Sequence, residues 1–241
     1  IANIIRQWTE LSQFDGNVGR EFKERLQGVK APATWYIITM SPEAFSGAAQ
    51  LTLMEEAANR GIHIKWAYQT PELVLAEPAL QVQWKWINSR YDDIEERATP
   101  KTLHNHLQSH IAVVEERIHK WEKALKRMSP EERQGSGKWE VYYSRAPNFY
   151  LTWLSVPGKH SDDMPLEAPP NTFGFVHLYV FFPTSYEARP ALYFDNKSYP
   201  SDNSQEILNY YYRSTVKFFS NGVKQECNYL PDSPKQFPES S

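Results

Sequence analysis

The residues of this 241-residue chain most able to do chemistry are its seven histidines and its single cysteine, and three of the histidines, His104, His106 and His110, crowd one short stretch. His106 and His110 stand four residues apart, so on a helix they share a face and could chelate zinc. No companion cysteine, and no glutamate in the zincin arrangement, accompanies them, so the cluster reads as polar helix residues and no metal or other cofactor is expected. Cys227 has no neighbouring histidine to draw off its proton, which argues against a thiol nucleophile. A G-x-S-x-G elbow, a G-x-G-x-x-G turn and a phosphate-cradling G-x4-G-K-[ST] loop are all absent, so the sequence announces neither serine hydrolysis nor nucleotide binding. Asp92-Asp93, Glu95-Glu96 and Glu115-Glu116 are flanked by Arg and Lys and read as solvated helix faces.

A second group is better suited to binding than to catalysis. Tyr142, Tyr143, Arg145, Asn148, Tyr150 and Thr152 alternate polar and apolar side chains beside a turn at Ala146-Pro147. An arginine to pair an anion, with tyrosines to orient it, could line a pocket there.

Composition narrows the classes. Lys and Arg number 26 against 29 Asp and Glu, a net charge of −3, so there is no global basic field to hold a phosphate backbone. The chain is 41% apolar, enough for a substantial core, and no apolar run approaches the roughly 20 residues that span a bilayer. One cysteine makes no internal disulfide, which fits a reducing, cytoplasmic setting. Asn196-Lys197-Ser198 matches a glycosylation acceptor but reads as an ordinary loop, and a first residue that is Ile1 suggests an upstream domain.

These residues must be positioned by regular elements, and most of the chain announces them. Residues 1–28 are expected to be helical, with 1–11 an amphipathic helix. Residues 34–40 (TWYIITM) read as a buried strand, 43–60 as a helix ended by Gly61, and 62–68 as a second strand. This β-α-β unit implies parallel strands. In residues 78–128, Leu80, Trp84, Ile87, Tyr91 and Ile94 recur at heptad spacing, and so do Leu107, Ile111, Val114, Ile118, Trp121 and Leu125. Between the two series Thr99 and Pro100 suit the start of a helix, so the stretch predicts a long antiparallel helical hairpin. A polar connector at 131–138 leads into strands at 139–143, 149–156, 173–182 and 191–194, with a long loop over 157–171. A final helix over 204–221 and a Pro/Ser-rich tail from 231 complete a single α/β domain, 1–230, with a disordered end, 231–241.

Taken in order, TWYIITM, a helix ending in AANRGIHIKWAY, a helical segment, WEVYYSR, FYLTWLSV, VHLYVFF, ALYFDN and the closing helix SQEILNYYYRSTVKFFSNG resemble one half of a phospholipase D-like domain over about residues 30–222. His63-x-Lys65-x4-Thr70 nearly reproduces the His-x-Lys-x4-Asp signature of that family, and His177-x-Tyr179-x4-Thr184 does so more faintly. Both lack the aspartate, and the strand position where the family carries its His-x-Lys pair holds Asn148, Tyr150 and Thr152. The resemblance therefore implies a mixed β-sheet flanked by helices and a catalytically degenerate member, of the kind fused to DNA-binding or signalling domains in bacteria.

The expectation is a non-catalytic regulatory or sensor domain binding a small, anionic ligand or a protein partner, with the hairpin used for homodimerisation or coupling. Its pocket is expected at the C-terminal edges of the first two strands, formed by Thr39, Ser41, Glu43, Tyr68 and Thr70, with Arg145, Asn148 and Tyr150 from later strands. One alternative is a degenerate phosphodiesterase that pairs two half-sites as a dimer, which needs His63 and Lys65 in a shared cleft. The other is a pure interaction scaffold built on the hairpin, for which exposed apolar residues such as Trp86 would speak.

Overall fold

The computed structural model describes residues 5–8, 17–39, 42–76, 100–143, 150–157, 167–178, 189–195, 202–221 and 223–224. Its elements are β1 (Ile5–Trp8), α1 (Asn17–Gly28), β2 (Ala33–Ile38), a 3-10 turn (Pro42–Phe45), α2 (Ala48–Asn59), β3 (Ile62–Tyr68) and α3 (Pro71–Ala76). After them come α4 (Pro100–Arg127), α5 (Pro130–Gln134), β4 (Trp139–Tyr143), β5 (Tyr150–Pro157), β6 (Phe173–Leu178), β7 (Arg189–Asp195), α6 (Asp202–Asn221) and β8 (Val223–Lys224).

The strands form one mixed sheet in the order β1-β7-β6-β5-β2-β3-β4-β8. β2, β3 and β4 run parallel, with Thr34 opposite His63 and Lys65 opposite Glu140, while β5 to β7, β1 and β8 join antiparallel. Every residue of β2 is buried, which is why its sequence, Thr34 apart, is an apolar run instead of an alternation: helices cover both of its faces. On one face Trp35, Ile37, Ile64, Trp66 and Val141 meet Phe22 and Leu26 of α1, Met54 and Ala57 of α2, and Ile111, Val114, Ile118 and Trp121 of α4. On the other, Tyr36, Ile38, Ala67 and Tyr142 meet Leu208, Tyr212, Val216 and Phe219 of α6. Burial pushes the Tyr212 phenol up to about 12, so that ring stays neutral at any ordinary pH.

Local signals explain where the helices stop and start. Gly61 takes φ +85°, the left-handed conformation that ends α2, and donates its N–H to the Ala58 carbonyl at 3.0 Å. The expected polar connector contains α5, opened by a reciprocal capping box: Ser129 N–H donates to Glu132 Oε2 at 2.8 Å and Glu132 N–H to Ser129 Oγ at 3.3 Å. Arg117 of α4 bridges Glu55 of α2 at 2.6 Å, a partly exposed ion pair worth less than about 1 kcal/mol.

Two expectations need correction. Residues 5–8, expected within an amphipathic helix, form an edge strand paired antiparallel with β7. The helix expected over 43–60 is broken: Pro42 opens a separate 3-10 turn and α2 begins only after Gly47. The second half of the expected hairpin is present as α4, but its heptad stripe is packed into the sheet core. The first half, with Leu80, Trp84, Trp86, Ile87, Tyr91 and Ile94, lies outside the described residues, as does the tail. Among the described residues no helix is long and apolar enough to cross a membrane.

Candidate functional site

The three parallel strands end together, and the residues just past those ends build the candidate site. After β2, Thr39 is buried, its N–H donates to the Ala67 carbonyl at 2.9 Å, and its Oγ1 accepts from Trp66 Nε1 at 3.0 Å. After β3, Gln69 and Thr70 are buried, at 1% and 7% exposure, and the Thr70 carbonyl accepts the Val74 N–H in the first turn of α3. β4 ends at Tyr143, whose hydroxyl donates to Glu115 Oε1 of α4 at 3.2 Å. Polar side chains buried at a sheet edge are costly to maintain unless partnered, and in open α/β sheets this edge is where ligands enter.

The same edge is roofed by the 3-10 turn, α3 and the N-terminal half of α4, which packs on both. That roof gathers imidazoles. Ser46 Oγ and His110 Nδ1 are 2.7 Å apart, the His106 and His110 rings meet edge to face at 4.7 Å, and His104 Nε2 lies 3.9 Å from Glu72 Oε1. Leu107, between them in sequence, is fully buried, while His110 faces Ser46 and His106 packs on His110. Either partner can donate across the Ser46–His110 contact, according to which imidazole nitrogen carries the proton. Among the described residues no group of three or more His, Cys, Asp or Glu is placed to hold a metal ion.

Of the residues expected to form the pocket, Thr39 and Thr70 lie at this edge. Tyr68 is also there, but its ring is core, held edge to face between Trp66 at 5.2 Å and Tyr143 at 5.6 Å. Glu43 falls in the 3-10 turn. Tyr150 opens β5, which pairs Thr152 with Ile38, so its backbone lies beside the C-terminal end of β2. Ser41, Arg145 and Asn148 lie outside the described residues. Ser46, Gln69 and the His110 partnership are additions that the sequence pattern does not point to. Ser46 is hidden inside the expected helix, and the spacing of His110 relates it only to its neighbour His106.

The family-like set His63, Lys65 and Thr70 is not brought together. His63 sits near the start of β3 and Thr70 two residues beyond its end, and at roughly 3.3 Å per residue the strand alone puts about 16 Å between His63 and Tyr68. The His63 Nδ1 accepts the Lys138 N–H at 2.9 Å, which fixes its tautomer. Partial burial, then the Lys138 and Lys65 charges, hold its pKa below the ordinary histidine value, against an opposing pull from Glu140. His177 lies in β6, and Tyr179 and Thr184 are outside the described residues.

His63 thereby links stability to pH. A histidine whose folded pKa is depressed contributes stability that is complete above its unfolded pKa of about 6.5 and is lost as pH falls through that value toward the folded one. Urea denaturation at descending pH should therefore show a loss below pH 6.5 that is shallower in a His63→Gln variant; identical slopes would mean that His63 is not the responsible group.

Comparison with family models, with curated proteins and with solved structures finds no match for this chain.

Proposed function

We propose that this chain is a regulatory domain with a phospholipase D-like arrangement that binds a small anionic ligand at the C-terminal edge of β2, β3 and β4, as one part of a larger signalling or transcription-regulatory protein. The observation that carries the reading is the convergence, at one edge, of buried Thr39, Gln69 and Thr70 beneath a roof bearing Ser46, His104, His106 and His110. Imidazoles, hydroxyls and amides suit a carboxylate or phosphate oxyanion, and Arg145, two residues past β4 in sequence, would supply the full positive charge. The role is to bind and not to cleave a phosphodiester, because, of the groups such chemistry needs, His63 sits near the start of β3 and Lys65 at its middle, away from the edge where Thr39 and Thr70 lie. The phospholipase D-like reading is supported by a mixed sheet with helices on both faces and by the order of its elements.

The test is a melting experiment with phosphate, sulfate, acetate and citrate. An anion at about 100 times its Kd stabilises the folded state by about 2.7 kcal/mol, a rise of about 5 to 10 °C for a chain of this size. Arg145→Gln should abolish that rise and leave the unliganded melting temperature unchanged. A flat response to all four anions, or an unaltered shift in the variant, would remove the anion site.

A further inference from the structure

The contact between Ser46 and His110 has chemical potential that the binding reading leaves unused. A hydroxyl 2.7 Å from an imidazole nitrogen is, whenever that nitrogen is unprotonated, the pairing that makes a serine nucleophilic. Ser46 is only half-buried, and Gly47, Ala48 and Ala49 after it are exposed, with the flexible Gln50 side-chain amide folded back beside Gly47 as the group an approaching carbonyl compound would displace. Gly47 is the N-cap of the twelve-residue α2 and provides no side-chain cap. The first-turn N–H groups of Ala48 and Ala49 have no acceptor within their own helix and are available to an oxyanion formed on a Ser46 adduct. The His106 ring against His110 restricts how that imidazole can turn.

We infer that Ser46 is an acyl-accepting nucleophile with His110 as its base, and that the compounds this edge takes are small activated acyl species, esters or thioesters. This rests on the reading that the edge is open to small molecules. Ser46 Oγ bonds to the acyl carbon while its proton passes to His110 Nδ1. The bond from that carbon to the leaving oxygen or sulfur breaks, and the leaving group departs with the proton from His110. Water attacking the acyl carbon, deprotonated by the same imidazole, releases the acid and returns the proton to Ser46. A regulatory domain acylated in this way would carry its signal as a covalent mark until hydrolysis clears it.

The experiment treats the full chain with a fluorophosphonate probe, in which serine displaces fluoride from phosphorus, and maps the adduct by mass spectrometry. Labelling is expected at Ser46, to be absent in Ser46→Ala, and to fall by about 100-fold in rate in His110→Ala. Imidazole added to His110→Ala should restore part of the rate, which a merely structural histidine would not allow. His110→Asn keeps a hydrogen-bonding group facing Ser46 and so protects the fold, yet cannot take the proton, and should be equally slow. No adduct at Ser46, or an adduct whose rate ignores both His110 variants, overturns the inference. Anion-induced stabilisation without labelling would overturn the nucleophile and leave the binding site standing, whereas labelling without anion stabilisation would support the nucleophile and remove the anion reading.

Discussion

Gly137→Ala is expected to lower the stability of the fold by about 4 kcal/mol, a fall of about 8 to 16 °C in melting temperature. The reason is a backbone crossing. A Cβ at position 137 would overlap the carbonyl oxygen of Ile62, the first residue of β3, and press on its carbonyl carbon and nitrogen as well. Backbone atoms cannot rotate away as a side chain can, so one of the two segments must shift. The shift is costly because the crossing is hydrogen-bonded on both sides. Gly137 N–H donates to the Ala58 carbonyl at 2.7 Å, Ile64 N–H to the Lys138 carbonyl at 2.6 Å, and Lys138 N–H to His63 at 2.9 Å. Gly135, two residues earlier, is the control: the nearest atom to an added Cβ is the Glu132 carbonyl oxygen at 3.8 Å, and its φ of −83° suits alanine. Gly135→Ala should be neutral or stabilising by about 0.5 kcal/mol, through the reduced freedom of the unfolded chain. Denaturation of the two variants side by side decides it, and equal stabilities would mean that the crossing has room for a methyl group.

How far the sequence discloses this architecture depends on whether a signal is local. The strand at 33–38 is legible because a strand buried on both faces is almost wholly apolar, the strand at 62–68 because buried Ile62, Ile64, Trp66 and Tyr68 fall on alternate positions, and the end of α2 because only glycine takes φ +85° without strain. The start of α2 is illegible for the converse reason. Phe45, Leu51, Met54 and Ala57 keep a helical period across a break that Pro42 and Gly47 impose on the backbone, and periodicity does not register the break. Residues 5–8 are a strand because β7 offers an unpaired edge, a tertiary fact that no window around Ile5 contains. The candidate site is half legible. The rule that ligands enter at the C-terminal ends of parallel strands locates Thr39 and Thr70, but Ser46 and His110 are 64 positions apart and meet only because α4 lies over the 3-10 turn.

Trp121→Ala is the second large effect, and it separates two uses of one stripe. Heptad spacing in α4 is equally good for a dimer seam and for a helix lying on its own sheet, because periodicity fixes a face and not what that face meets. Trp121 is 5% exposed, its ring meets Trp139 of β4 edge to face at 6.1 Å, and its Nε1 donates to Asn59 Oδ1 at the end of α2 at 2.8 Å. Truncation removes the ring from the core and leaves the Asn59 amide without that donor, a loss of about 4 kcal/mol. Asn59→Ala, which takes away only the hydrogen bond, should cost about 1 kcal/mol. Since these contacts lie within one chain, the loss in Trp121→Ala should be the same at low and at high protein concentration. A melting temperature that climbs with concentration in the parent protein and ceases to do so in Trp121→Ala would instead make the stripe an interface between two copies. The packing of Ile111, Val114, Ile118 and Trp121 against Trp35, Ile64 and Val141 favours the first outcome: a stripe already filled by its own sheet has no apolar area left to offer a partner, so any self-association must use another surface.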